Sequence, residues 1–204
     1  MIPTPEYIKK YAIGEKQKGT RLSFNLNCSC GCERFLVYKN SYTDEEKKII
    51  NEYEEKFPKT GWHTIYGGID SNGKHYAYIK ILGIFKKYLS FPKMPIFMNI
   101  SVLKITCSRC SNEITLFDSR FHGYEGAIST DMEAKKYIPH LKLVNNKVYS
   151  VNIEIENESD LKSFNEATGE DSSREFYSNA FGWIRISGFD ENGKKKIFLD
   201  IETS

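Results

Sequence analysis

The reading turns on Leu22-Ser23-Phe24-Asn25-Leu26-Asn27-Cys28-Ser29-Cys30-Gly31-Cys32, an alternating run that ends in three cysteines. Leu22, Phe24 and Leu26 recur with a period of two, the signature of a half-buried strand. Phe35-Leu36-Val37-Tyr38 resumes the apolar pattern beyond the cysteines. With Gly31 easing the turn, strand, cysteine turn and strand together predict a hairpin. Working outward, the remaining cysteines stand in Cys107-Ser108-Arg109-Cys110. Ile96 to Thr106 reads as a strand entering that pair and Ile114 to Phe117 as one leaving it, which predicts a second hairpin.

All 5 cysteines of the 204 residues fall in these two clusters. Clustered thiols in a reducing compartment point to a metal more often than to disulfides. A closed tetrahedron of four thiolates is what structural zinc prefers. Cys107 and Cys110 have the C-x2-C spacing that directs two sulfurs to one ion. The first cluster offers spacings of one and three, and Gly31 directly after Cys30 favours Cys28 and Cys30 as its pair. The expected ligands of a Zn2+ ion are therefore Cys28, Cys30, Cys107 and Cys110, with Cys32 a spare thiol or an alternative ligand. A redox C-x-x-C would need to open a helix in a βαβ setting, and this one lies between strands.

Elsewhere, Thr43 and Glu46 form a capping box, which predicts a helix to Phe57 with Ile49, Ile50, Tyr53 and Phe57 as its buried stripe. Pro5 suits the first turn of a short helix, and Gly14 and Gly19 punctuate what reads as a polar loop. Trp62 to Phe85 reads as β, with a hairpin turn at Asp70-Ser71-Asn72-Gly73. A similar Asp-x-Asn-Gly turn at Asp190 to Gly193 joins Phe181–Phe189 to Lys196–Ile201. Asp131 to Tyr137 and a segment capped by Ser159 read as short helices, Glu170 to Arg174 as a loop, and Val148 to Ile155 as a strand. The expected fold class is α+β, mainly antiparallel β, with zinc-ribbon-like hairpins carrying an inserted helix and hairpin, followed by a C-terminal β-rich region. The organisation expected is 1–126 for the zinc-ribbon-like region and 127–204 for the C-terminal region, with their packing as one domain left open.

Phe24-x-Leu26-x-Cys28-x-Cys30-Gly31, Ile105-x-Cys107-x-x-Cys110 and Leu116-Phe117-Asp118-x-x-x-His122-Gly123-Tyr124 together resemble a family of uncharacterised bacterial zinc-ribbon-like proteins. The resemblance covers residues 22–126 in pieces. It implies a cytoplasmic bacterial protein with a zinc-binding core. Cys32 departs from the family's simple four-cysteine count.

Composition narrows the function further. Hydrophobic residues at 40% and charged residues at 27% are ordinary for a globular chain. Residues 1–126 carry 19 Lys/Arg against 13 Asp/Glu, and residues 127–204 carry 10 against 14. That modest asymmetry makes no nucleic-acid footprint by itself. Met1-Ile2-Pro3-Thr4-Pro5 lacks a basic segment followed by an apolar run, so no signal peptide is expected. No stretch is long and apolar enough to suggest a membrane span. Phosphate-loop, nucleophile-elbow, H-E-x-x-H and dinucleotide motifs are absent.

The leading expectation is a non-enzymatic protein-binding or adaptor module, with a protein as its partner. Nucleic acid is the alternative partner, because Lys86, Lys87 and Lys93 interleave with Phe85, Tyr88 and Phe91. A third reading is enzymatic. Asp118, Arg120, His122 and Tyr124 would share one face of an extended segment, and Asp118, His122 and Tyr124 could perform acid–base chemistry if they converge. His63, His75 and His140 stand alone.

Overall fold

A computed structural model describes residues 4–55, 65–69, 75–81, 84–89, 95–123, 132–156 and 181–202. For 65–69, 75–81 and 84–89 it describes the backbone. The chain divides into two compact units, Met1–Ser41 with Ile100–Ser204, and Tyr42–Asn99. Every strand pairing among the described residues is antiparallel, so the expected α+β, mainly antiparallel class is the one observed.

Among its described residues the first unit holds two sheets. One has the order β1 (Ala12–Lys18), β2 (Arg21–Leu26), β10 (Ser150–Glu156), β11 (Trp183–Phe189), β12 (Lys195–Glu202). The other has the order β8 (Glu113–Asp118), β7 (Val102–Cys107), β3 (Phe35–Asn40), β9 (Leu141–Leu143). Alternation drives the first of these: Leu22, Phe24, Leu26, Val151, Ile153 and Ile155 are buried while their neighbours along the strands are not. These residues share one core with Phe35, Val37, Ile105, Leu116 and Phe117 of the other sheet. An isolated bridge, Phe35 with Tyr149, pairs backbone between them, with N–H···O distances of 2.9 and 2.8 Å.

Two local expectations change here. The segment through Cys28 to Cys32 is not the tip of a hairpin, because β2 pairs with β1 and β10 while β3 pairs with β7 and β9. It is a crossover from one sheet to the other. The second cysteine turn does cap a hairpin, β7 with β8. Gly14 and Gly19 lie in and just beyond β1, an edge strand whose residues are almost all exposed. A strand with no buried face carries no alternation to read.

Short helices frame the sheets. The helix α1 (Glu6–Lys9) follows Pro5, and Met132–Lys136 forms a helix that we label α3. At the far turn, Asp190 accepts the Asn192 and Lys194 N–H groups at 3.0 Å each. Gly193 takes φ +74°, the left-handed conformation glycine tolerates.

The second unit contains α2 (Asp44–Glu55) and the sheet β4 (Ile65–Ile69), β5 (His75–Ile81), β6 (Ile84–Leu89). The capping box forms as expected: Glu46 Oε2 accepts the Thr43 N–H at 2.7 Å, and Thr43 Oγ1 accepts the Glu46 N–H at 3.2 Å. The expected buried stripe does not form over the described residues. No residue of α2 is buried, and Ile49 is 39% exposed. The cap and charged pairs such as Lys47 with Asp44 suit a helix facing water. Ile96–Asn99 is a 3-10 turn rather than part of a strand, started by the Pro95 carbonyl accepting the Met98 N–H at 3.0 Å. Phe57, Trp62, Lys93, the Asp70–Gly73 turn, the Ser159 segment and the Glu170–Arg174 loop lie outside the described residues.

Candidate metal centre

The site is built from the crossover and the hairpin tip. In the crossover, Cys28 N–H donates to the Cys32 carbonyl and Gly31 N–H to the Cys28 carbonyl, both at 2.8 Å. Gly31 closes this turn at φ +77°. At the hairpin tip, Cys107 N–H donates to Asn112 O at 2.9 Å and Ser111 N–H to Cys107 O at 3.0 Å, with Ser111 at φ +58°. A backbone bond from Ser108 N–H to Arg34 O, 3.0 Å, joins the two turns. Arg109 adds a second link by donating to the Cys30 carbonyl at 3.3 Å.

This scaffold brings Sγ of Cys28, Cys30, Cys107 and Cys110 within 4.8 Å of one another. Cys28 to Cys110 and Cys30 to Cys107 are each 3.5 Å. Sulfurs about 2.3 Å from one tetrahedral ion stand about 3.8 Å apart, so the group has the dimensions of a four-thiolate metal site. Such a group could hold a metal ion. The 5 cysteines are all free thiols, and these four are the ones the spacing singles out.

Thiol electrostatics fit the same use. Burial works to raise the Cys28 pKa. The Cys30 backbone N–H and the sulfurs of Cys110, Cys107 and Cys30 outweigh it and pull Cys28 down to about 6. Burial pushes Cys30 and Cys107 up. One thiolate among four forms readily, and further negative charge beside it is resisted. A bound cation removes that resistance, because thiolates deprotonate on ligation.

The polar run after β8 assembles differently from its extended-chain expectation. The strand ends at Asp118, and the chain turns back with Phe121 and His122 N–H groups donating to the Asp118 carbonyl at 3.0 and 2.9 Å. Arg120 Nε donates to Asp118 Oδ1 at 2.7 Å, and its Nη2 pairs with Oδ2. A further Nη1 bond runs to the Tyr137 carbonyl.

His122 Nδ1 accepts the Asp118 N–H at 3.0 Å, which places the neutral ring's proton on Nε2. The ring stacks on Tyr7 at 3.7 Å and 12°, and burial lowers its pKa to about 4, with the Asp118 charge a smaller opposing effect. Tyr7 OH donates to Leu116 O at 2.9 Å, and burial pushes its phenol upward. Asp118 and His122 are thus brought together, but with the carboxylate bound to Arg120 and the imidazole lone pair bound to backbone. Tyr124 lies outside the described residues. Tyr7, 115 residues before His122, gave no sequence signal for this contact.

Among the described residues, no helix is long and apolar enough to cross a membrane. No protein-family model, curated protein or solved structure matches the chain.

Proposed function

We propose that this chain is a cytoplasmic, zinc-ribbon-like bacterial protein whose four cysteines bind one structural Zn2+ and whose surface binds a protein partner without catalysis. The observation that carries the metal reading is the convergence of four sulfurs, two from each turn, within 4.8 Å. Cys28, Cys30, Cys107 and Cys110 supply all four ligands a structural zinc takes, and no protein-derived position is left for water or substrate. The ion would tie a sheet crossover to a hairpin tip, which is a folding role.

The pairing of Asp118 with Arg120 and of His122 Nδ1 with a backbone N–H supports the non-enzymatic side of this reading. Protein binding is supported by Phe121, Met132 and Ile138, exposed at 44%, 61% and 88%. Lys135 lies 6.0 Å from the Phe121 ring, which sets α3 beside Phe121. A nucleic-acid reading is favoured by one feature: β4, β5 and β6 include Lys80, Lys86 and Lys87 and no Asp or Glu. Steep salt dependence of binding would mark that class.

Elemental analysis of protein purified without added metal tests the metal reading. One equivalent of zinc per chain is expected. Less than about half an equivalent, or an iron chromophore, overturns the assignment.

A further inference from the structure

The sheet β4–β5–β6 keeps a constant register along all its pairings. Two-residue alternation therefore holds in each strand, and residues paired across strands share a face. Tyr66 pairs with Tyr78, and Tyr78 with Lys87. Gly68, Tyr76 and Leu89 form a further row on that face, and Lys80 with Phe85 another. The opposite face carries every isoleucine of the three strands, together with His75, Lys86 and Tyr88.

One face is thus largely aliphatic and the other aromatic and basic. Isoleucine has no polar atom to satisfy, so the aliphatic face is the cheaper to bury. The three phenol hydroxyls and two ammonium groups of the other face each need a partner or water. No Asp or Glu in the three strands offsets the lysines.

Rings and cations on one surface supply the two contributions that hold a single nucleic-acid strand. Bases stack on aromatic rings, and lysines neutralise phosphates. A duplex keeps its base faces stacked on one another and gains only the charge. An acidic peptide likewise uses the lysines and leaves the rings idle. Paired residues stand about 5 Å apart and alternate residues of one strand about 7 Å apart, which sets Tyr66, Tyr76 and Tyr78 in reach of successive bases.

We infer that the face carrying Tyr66, Tyr76, Tyr78 and Phe85, with Lys80 and Lys87, binds single-stranded nucleic acid by base stacking. This rests on the nucleic-acid reading given above for β4, β5 and β6, and it takes Lys86 off the binding face. Phe121, Met132 and Ile138, which support protein binding, belong to the other unit, so the two surfaces share no residue.

The test titrates the full chain, with its metal, into fluorescein-labelled oligo(dT) and oligo(U) of about 15 nucleotides and reads anisotropy across a range of salt. The two probes share bases and phosphates and distinguish DNA from RNA as the source. Binding to at least one is expected, falling steeply with salt and tighter than to a duplex of equal length. Adjacent residues on opposite faces give the decisive comparison, because Lys86→Gln and Lys87→Gln remove the same charge. Lys87→Gln should lower the slope of log affinity against log salt by about 0.7, and Lys86→Gln should leave it at the wild-type value. Tyr78→Leu should lose at least about fivefold in affinity, while Tyr78→Phe, which keeps the ring, retains it. The lysine pair decides the face should Tyr78→Leu fold poorly.

Equal slopes in the two lysine variants overturn the face assignment and leave nucleic-acid binding standing. Equal affinity for the duplex, or displacement of the strand by polyglutamate as readily as by unlabelled oligonucleotide, overturns stacking. No binding of either probe by the wild type overturns the inference and the nucleic-acid reading together.

Discussion

The cysteine group and the Asp118–Arg120–His122 cluster both gather ionisable side chains inside one unit, and they satisfy them in opposite ways. Asp118 meets its own cation in Arg120, and His122 is kept neutral by burial and occupied by a backbone N–H. Asp118 and Arg120 bond each other, while His122 Nδ1 and Arg120 Nη1 bond backbone groups. Among the described residues, the cysteine sulfurs bond to other sulfurs, serine hydroxyls, the Arg34 carbonyl and backbone N–H groups. None of those partners is a charged side chain, so the group accumulates acceptors without an ion pair of the kind Asp118 makes. The lesson is that proximity of reactive residue types does not mark a site. What marks one is whether the protein itself completes their bonding.

The largest expected effect comes from breaking the cysteine side. Cys107 is 1% exposed and belongs to the one of the two turns that caps a hairpin. Cys107→Ser should lose the metal and several kcal/mol of stability, since structural zinc affinity is folding energy. Hydrogen exchange should show protection lost first at the crossover and at the hairpin tip. Retention of the metal by this variant would mean that the wrong sulfurs were chosen.

Breaking the other cluster should cost less and leave the metal untouched. The Asp118 and Arg120 side chains are 9% and 11% exposed, and removing one partner of so buried a pair costs about 3–5 kcal/mol. Arg120→Met is therefore expected to lower the midpoint of denaturant unfolding with full metal content. Adding Asp118→Asn, which removes the stranded charge, should return part of the loss. Loss of metal in Arg120→Met would show that the two regions are not independent.

A smaller effect follows pH. The His122 pKa falls from 6.5 to about 4 on folding, mainly by burial. Between those values the unfolded chain binds more protons than the folded one, so stability rises with pH. The contribution is complete above pH 6.5, is lost as pH falls toward 4, and amounts to at most about 3 kcal/mol. Unfolding measured across this window should lose that slope in His122→Gln. Thiolate protonation also weakens metal binding in acid, so metal content must be followed in the same samples.

How much of this was legible in the sequence depends on where the information resides. β2, β10, β11 and β12 announced themselves by alternation and turn chemistry, because their burial is one-sided and local. β1 did not, since an edge strand exposed on both faces has no pattern to show. The Ile96–Asn99 turn was hidden by apolar residues that suit a strand as well, and Pro95 decided it. The amphipathic stripe of α2 was visible, but whether anything covers it is a tertiary fact. The four cysteines could be chosen from spacing and Gly31, whereas the crossover that carries two of them depends on strand partners more than 100 residues away in sequence. Asp118 and His122 were grouped only as one face of an extended segment, and neither the turn that joins them nor the stacking of Tyr7 was readable.

In the proposed site these four sulfurs, and no other atoms, would surround one zinc ion. X-ray absorption at the zinc edge, on protein carrying its native metal, tests it most directly. The account predicts a single shell of four sulfurs at about 2.3 Å. A shell containing a nitrogen or oxygen ligand, or fewer than four sulfurs, would contradict it.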